Sequence, residues 1–146
     1  MIREAKEDDF DSIIEMSSKF WLETMFDEPF DPDHTMLMVE MAYDHKLLAV
    51  IEVDSEVVGF VAGIAAPTMG SPDAIAGTEL AWWINPEHRN NGNGLKLINF
   101  IEGLARIAGV KYWNMVAMES SNPRVAEAIY QKLGYFKSET MYTRIL

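Results

Sequence analysis

The spacing of hydrophobic residues changes several times along this chain, and the order of the changes restricts the fold more than any other feature. In the first third, apolar residues recur at helical spacing. They predict one helix that Asp8 or Asp9 caps and that runs to about Trp21, and a second from Asp33 to about Tyr43. Two helices are therefore expected before the first long strand.

The middle of the chain has the pattern of strands. Ile2–Ala5 predicts a short opening strand, and the apolar, β-branched runs Leu47–Val53 and Val57–Ala66 flank a polar turn, which predicts a β-hairpin. We expect a loop over Pro67–Asp73 and a third long strand over Gly77–Ile84 that ends just before an Asn-Pro pair.

Helical and strand patterns then alternate to the end of the chain. Gly94–Ala108 predicts a helix, Tyr112–Met118 a strand, Pro123–Leu133 a helix and Tyr135–Ile145 a strand-like tail. The strand–helix–strand unit implies a parallel crossover, whereas the hairpin implies antiparallel pairing. The predicted fold is α/β, a mixed central sheet with helices on both faces, in the order β-α-α-β-β-β-α-β-α-β. The 146 residues suit one domain, 1–146.

Composition excludes several classes of function. There is no cysteine, so a disulfide framework, a thiolate metal site and a cysteine nucleophile are excluded, and no His/Asp/Glu spacing suggests a metal site. The formal net charge of −11 argues against a nucleic-acid partner and is consistent with a cationic substrate, or simply with solubility. No apolar stretch reaches the roughly 20 residues of a membrane span. Acidic residues stand where an export signal would be apolar, which fits a cytoplasmic location.

The segment between the third long strand and the next helix carries the strongest chemical signal. It reads Pro-Glu-His-Arg-Asn-Asn-Gly-Asn-Gly-Leu over Pro86–Leu95. Glycines at a helix N-terminus let backbone N–H groups point at a phosphate, and Arg89 can add a charge-assisted contact. The segment lacks the Lys-Ser/Thr pair of a P-loop, and Leu97 stands in place of the third glycine of a dinucleotide-binding loop. A glycine turn without a ligand remains the alternative.

A second motif, Asn122–Tyr135, reads Asn-Pro-Arg-Val-Ala-Glu-Ala-Ile-Tyr-Gln-Lys-Leu-Gly-Tyr. Taken alone, it is explained equally well by an apolar helix face that Gly134 terminates. R-x-x-G-x-G after a proline, followed by an Asn-led segment that contains A-x-x-x-Y-x-K-x-G-[FY], resembles the GNAT N-acetyltransferase superfamily. The strand leading into the glycine loop is similar to that family's fourth strand, and the resemblance covers the whole chain.

This resemblance implies that the chain binds acetyl-CoA as a cosubstrate. In such enzymes the fourth and fifth strands separate, and the pantetheine arm lies between them. Backbone groups of the fourth strand would hold the pantetheine and the thioester oxygen, and N–H groups of the glycine loop would hold the pyrophosphate. Asn122 would bond to the pantetheine arm, or cap the last helix, or both. The implied cofactor-binding residues are Trp82, Trp83, Ile84, Arg89, Asn90, Asn91, Gly92, Asn93, Gly94, Leu95, Asn122 and Tyr130.

The resemblance also implies direct attack of an amine on the thioester, which needs a base, oxyanion stabilisation and an acid. Tyr130 matches the position of the general acid, and a tyrosine that only packs is the alternative. Glu79 is the implied base, acting directly or through water. It lies five positions before Ile84, where several members have six, so it faces the site only if a β-bulge intervenes. His88 and Glu119 are alternative bases.

The acceptor pocket of this family is built largely by the first two helices and their loop. This segment contains Trp21, Met25 and Phe26, with acidic residues among them. Such a surface predicts that the acceptor is an amine on an apolar or flexible stem, and a hydrophobic lid without a binding role is the alternative. The sequence does not separate a small amine from a protein lysine or N-terminus, and a catalytically silent acyl-CoA-binding module remains a second class. Apolar residues of the tail hint at a homodimer; they are Met141, Tyr142, Ile145 and Leu146.

Overall fold

A computed structural model describes the whole chain, from Met1 to Leu146. The strands are β1 (Ile2–Glu4), β2 (Leu48–Val53), β3 (Glu56–Thr68), β4 (Ser71–Ile84) and β5 (Tyr112–Asn114). The helices are α1 (Phe10–Trp21), α2 (Pro32–Asp44), α3 (Asn93–Ile107) and α4 (Pro123–Lys132), and short 3₁₀ turns cover Glu7–Asp9 and Pro86–Asn91. Through α4, this confirms the predicted order of elements.

The five strands form one mixed sheet in the order β1-β2-β3-β4-β5. The first four pair antiparallel, and β5 pairs parallel to β4 after the crossover through α3. None of the helices combines the length and the apolar character needed to cross a bilayer.

Helices cover both faces of the sheet, as predicted, because each strand of the centre buries side chains on both sides. On one face, α1 and α2 pack through Ile13 and Val39 against Val50 and Phe60. On the other face, the apolar side of α3 packs against the opposite side chains of the same strands. The sheet is therefore the middle of three layers, with β1 and β5 as its two edge strands.

A charged cluster joins the start of the chain to the edge of the sheet. The guanidinium of Arg3 donates to both carboxylate oxygens of Asp9, at 2.7 and 2.9 Å, and to Glu52 at 2.6 Å. Asp9 is only 6% exposed, and the hydrogen bonds from Arg3 lower the pKa of its carboxyl. This cluster fixes β1 and the entry to α1 on β2.

The hairpin of β3 and β4 is longer than predicted, and the expected loop over Pro67–Asp73 is wrong. The two strands stay paired out to Pro67 and Ile75 and pair again, after a shift in register, at Thr68 and Ser71, so only Met69 and Gly70 form the turn. Two prolines of this segment, Pro67 and Pro72, lie in the exposed outer part of the hairpin, where a missing backbone donor is tolerated.

Strand β4 contains a β-bulge at Leu80. Ala81 pairs with Ala62 and Glu79 with Gly63, so Leu80 has no partner on β3. Glu79 pairs with Gly63 and Ile84 with Gly59. Because these two glycines lie four positions apart on β3, Glu79 and Ile84 lie on the same face of the sheet. The bulge that the sequence required for Glu79 is present.

The end of the chain differs from the prediction. β5 ends at Asn114 rather than Met118, and the tail expected as a strand over Tyr135–Ile145 forms no regular structure. β5 stops because the backbone groups of Val116 bond to side chains instead of to a neighbouring strand. The tail makes no backbone hydrogen bond beyond the N–H of Tyr135, so its β-like composition is not matched by a pairing partner.

Candidate active site

A gap opens where β4 and β5 separate. The two strands are paired only over Ala76–Thr78 and Tyr112–Asn114. The amide of Asn114 closes this short ladder by donating to the carbonyl of Gly77 at 3.1 Å. Beyond Thr78 no strand pairs with this edge of β4, so its backbone groups face the gap along the last residues of the strand.

Glu79 lies at the point where the gap begins. It is 8% exposed, and its carboxylate accepts a hydrogen bond from the backbone N–H of Val116 at 3.0 Å. Burial raises the pKa of Glu79 to about 7, and the bond from Val116 opposes part of that rise. A carboxyl with this pKa exchanges its proton readily near neutral pH, which suits a general base.

Tyr130 of α4 bonds to the same residue from the other side. Its hydroxyl donates to the carbonyl oxygen of Val116 at 2.5 Å, and the residue is 8% exposed. Burial, and then the nearby charge of Glu79, raise the pKa of the phenol, so it keeps its proton across the physiological range. The predicted base and the predicted acid are thus brought together on one residue, Val116. The sequence carried no signal for Val116, because it takes part only through its backbone.

The glycine loop is a 3₁₀ turn followed by the N-terminus of α3. Gly92 adopts φ +78°, in the left-handed region that favours glycine, and a Cβ built there meets no atom within 4 Å. No side chain caps α3, so the first N–H groups of this helix remain open to a ligand. Asn93 stiffens the loop by donating from its amide to the carbonyl of His88 at 3.0 Å. The remaining predicted loop residues, Asn90, Asn91, Gly94 and Leu95, lie in the same segment.

Arg89 is directed toward the end of β4 rather than over the glycines. Its Nε donates to the carbonyl of Ile84 at 2.7 Å, and its guanidinium lies 4.6 Å from the ring centroid of Trp83. The guanidinium also faces Glu23 at 4.0 Å. Its backbone belongs to the loop, but its side chain is held away from the open N–H groups.

The three predicted residues at the end of β4 have different surroundings. Trp83 is buried on the face of α1 and α2, where its indole donates to Asn85 at 3.0 Å. Ile84 is buried on the opposite face with α3. Trp82 also faces α3, and its buried indole nitrogen has no hydrogen-bond partner.

Asn122 precedes α4 in a left-handed conformation, with φ +36°. Its side chain accepts no hydrogen bond from the helix, so the interpretation of Asn122 as a side-chain N-cap is wrong. The side chain is exposed, and the resemblance-based role, a bond to the pantetheine arm, stays a prediction.

An aromatic surface lies at the end of α1. The rings of Trp21 and Phe26 stack at 5.3 Å, with Met25 and Phe26 about half exposed, at 53% and 52%. The next carboxylate, Glu23, accepts a hydrogen bond from Ser121 at 2.5 Å and faces Arg89. Glu23 was not among the predicted site residues, although it was counted among the acids of this segment.

The alternative bases have no comparable environment. His88 is partly exposed in the 3₁₀ turn, and Glu119 is exposed. No group of three or more His, Asp and Glu side chains is arranged to hold a metal ion.

Solved structures share this architecture over nearly the full length of both chains. A ribosomal-protein-alanine N-acetyltransferase from Brucella melitensis biovar Abortus is 16% identical, with a TM-score of 0.74 and coverage of 100% of this chain and 99% of that one. A predicted acetyltransferase from Clostridium acetobutylicum, solved with acetyl-CoA, is 14% identical, with a TM-score of 0.77 and coverage of 99% and 95%. An aminoglycoside 6′-N-acetyltransferase from Acinetobacter haemolyticus is 15% identical, with a TM-score of 0.72 and coverage of 100% and 97%.

At such low identities these likenesses show the fold alone. No curated protein is significantly similar to the chain in sequence. The sequence model of the acetyltransferase (GNAT) family, however, matches residues 8–135. That range contains the glycine loop, the Glu79–Val116–Tyr130 arrangement and the whole of the second motif. The chain therefore belongs to the GNAT acetyltransferase family.

Proposed function

We propose that the protein is a cytoplasmic N-acetyltransferase that moves an acetyl group from acetyl-CoA to a primary amine by direct attack in a ternary complex. The observation that carries this proposal is the pair Glu79 and Tyr130. Two buried proton-exchanging groups bond to one residue, Val116, at the start of a gap in the sheet. In this arrangement the two groups have well-separated pKa values, so that near neutral pH one can accept a proton as the base and the other can donate one as the acid.

Three features of the chain fit acetyl-CoA. The open N–H groups at the start of α3 suit a pyrophosphate. The unpaired edge of β4 suits a pantetheine arm that bonds like an added strand. The indole nitrogen of Trp82 is a buried donor that needs an acceptor. When bound, acetyl-CoA supplies the thioester carbon that the amine attacks.

Glu79 would act as the base. An amine acceptor arrives as an ammonium ion, and the carboxylate of Glu79 takes its proton, directly or through one water. A pKa of about 7 leaves a large share of Glu79 ionised near neutral pH, while keeping it basic enough to accept a proton.

Tyr130 would act as the acid. The amine nitrogen forms its bond to the acyl carbon, the carbon–sulfur bond breaks, and the sulfur leaves as a thiolate. Tyr130 donates its hydroxyl proton to that sulfur, which requires exchange of its present bond to the carbonyl of Val116. The nitrogen loses its second proton as the amide forms, and that proton restores the phenol of Tyr130. The raised pKa of the phenol ensures that this proton is available at neutral pH.

The acceptor is proposed to be an amine on an apolar stem. The stacked rings of Trp21 and Phe26, with Met25 beside them, offer apolar contact surface, and aromatic faces attract cations. The net charge of −11 adds long-range attraction for a cation. Whether the amine belongs to a small molecule or to a protein is decided by a turnover assay on a panel of both.

The first test is titration calorimetry of acetyl-CoA into the protein and into Gly92→Glu. The new carboxylate would fill the open space at the start of α3 and repel phosphate. Gly109→Glu is the matched control, because Gly109 also has a positive φ, +84°, and open surroundings, but lies beyond the other end of α3. We expect binding by the wild type and the control and none by Gly92→Glu. No binding by the wild type would contradict the proposal.

The second test separates an enzyme from a silent acyl-CoA-binding module. We expect amine-dependent release of CoA by the wild type and a loss of about 10²-fold in kcat for Tyr130→Phe. Acetyl-CoA affinity should stay close to that of the wild type. A protein that binds acetyl-CoA but turns over none of the amines, or a Phe variant with full turnover, would remove the catalytic assignment.

We also propose that the protein forms a homodimer through its C-terminal tail. Met141, Tyr142 and Ile145 are each 91% exposed, and β5 has a free edge at the margin of the sheet. When two copies exchange tails, the tail of each copy can pair with the free β5 edge of the other and bury its apolar side chains there. Light scattering after gel filtration should give twice the mass of 16.6 kDa, and Tyr142→Asp/Ile145→Asp should be monomeric. A monomeric wild type would exclude this dimer.

A further inference from the structure

The indole nitrogen of Trp82 is the one buried side-chain polar atom of the structure that has no hydrogen-bond partner. The neighbouring tryptophan provides a contrast within the same strand, because the indole of Trp83 donates to Asn85 at 3.0 Å. Buried donors are nearly always paired, because an unpaired one loses its hydrogen bonds to water and gains none in return. An unpaired donor at this position therefore needs an explanation.

The surroundings of the indole show where this donor lies. A Cβ built on Gly94 would meet Cζ2 of Trp82 at 3.1 Å, and Cζ2 is two bonds from the indole nitrogen. The ring centroid is 6.1 Å from that of Tyr130. The indole is thus close both to the first turn of α3, where a pyrophosphate would bind, and to the proposed acid.

A larger residue at position 94 would displace this ring, because a Cβ at 3.1 Å already lies in tight contact with it. Gly94 is therefore needed for the placement of the indole as well as for the turn. Gly94 and the indole of Trp82 are in contact, and they lie on the face of β4 that also carries Glu79.

We infer that the indole N–H of Trp82 is a hydrogen-bond donor to an amide carbonyl of the pantetheine arm of acetyl-CoA. The inference rests on the proposed function and adds to it, because the family resemblance implied only backbone groups at this position. The pantetheine arm is the part of the ligand that joins the pyrophosphate to the thioester, and it carries amide carbonyls as acceptors. The indole lies between the residues proposed for those two ends.

The test is a ¹H–¹⁵N spectrum of the indole groups. The chain has four tryptophans, so four indole signals are expected, and Trp82→Phe and Trp83→Phe assign two of them by their absence. Addition of acetyl-CoA should move the Trp82 signal downfield, as a new hydrogen bond requires. ADP, which has the pyrophosphate but no pantetheine, should leave the signal close to its position in the free protein.

Calorimetry gives a second readout. Trp82→Phe should bind acetyl-CoA about fivefold to tenfold more weakly than the wild type, the loss expected for one hydrogen bond, and ADP with unchanged affinity. Trp113→Phe is the control, because the indole of Trp113 already donates to the sulfur of Met115 at 3.1 Å, and it should match the wild type with both probes. Equal affinity of Trp82→Phe and wild type for acetyl-CoA, or a Trp82 signal that ADP moves as far as acetyl-CoA does, would overturn the inference. If the wild type bound no acetyl-CoA, the proposed function itself would fail.

Discussion

Replacing Glu79 by glutamine should remove the loss of stability that the wild type undergoes as pH rises, while also removing activity. The pKa of Glu79 is about 7 in the folded protein, against an ordinary value of 4.5, so the folded state binds this proton more tightly than the unfolded chain does. The stability that follows from this difference is fully present below pH 4.5 and is lost as pH rises through about 7. At pH 8.5 the ionised carboxylate therefore costs about 3 kcal/mol, which a neutral glutamine does not incur.

Glutamine keeps an oxygen that can accept the N–H of Val116. Its new NH₂ group adds an offset that does not vary with pH, so the measured quantity is the pH dependence of the difference between the two proteins. The compared quantity is the free energy of unfolding of Glu79→Gln minus that of the wild type. This difference should be about 3 kcal/mol larger at pH 8.5 than at pH 4. This corresponds to roughly 6–12 °C in Tm for a chain of this size.

The assay is urea unfolding followed by tryptophan fluorescence at pH 4, 5.5, 7 and 8.5, with Glu119→Gln as control. Glu119 is exposed, so its substitution should leave the pH dependence unchanged. A difference between wild type and Glu79→Gln that stays constant from pH 4 to 8.5 would refute the reasoning, because Glu79 would then ionise as easily in the folded protein as in water.

Three further predictions follow from the same contacts. The kcat/KM of the wild type should rise with pH and level off above about 7, as the carboxylate of Glu79 becomes the reactive form; a flat profile from pH 5.5 to 8.5 would exclude Glu79 as base. Gly77→Ala should cost about 1–3 kcal/mol in urea unfolding, because its Cβ would lie 2.7 Å from the Trp113 ring, whereas Gly70→Ala, with nothing within 4 Å, should be near neutral. Arg3→Met should cost about 2–3 kcal/mol at pH 7 by removing the partner of the buried Asp9. That cost should shrink as pH falls from the ordinary pKa of 3.8 through the lowered pKa of Asp9, because the stability from this ionised carboxylate is complete above 3.8 and is lost over that range.

Much of the fold was predictable because each element carries its own local signal. α1 and α3 each have a one-sided apolar stripe, and α2, predicted from Asp33, begins one residue earlier, at Pro32. The need for a bulge near Glu79 was also readable, because one residue too few between two functional positions puts them on opposite faces. These predictions depend on residues close together in sequence.

The remaining features depend on contacts between distant segments. Tyr112–Met118 has strand-like residues throughout, but the N–H of Val116 bonds to Glu79, 37 positions away. The tail has apolar and β-branched residues too, yet composition cannot supply a pairing partner. The side-chain direction of Arg89 was equally unreadable, because it is set by the carbonyl of Ile84 and the ring of Trp83.

The bulge at Leu80 affects how residue roles are transferred between members of the family. A count of six positions back from Ile84 selects Thr78 in this chain, a partly buried hydroxyl on the other face of the strand. A count along the partner strand instead, from Gly59 to Gly63, selects Glu79. A gap-free sequence alignment would therefore report that this chain lacks a carboxylate at that position, although the structure has Glu79 on the same face as Ile84. Any survey of active and inactive members should number β4 by its pairing with β3.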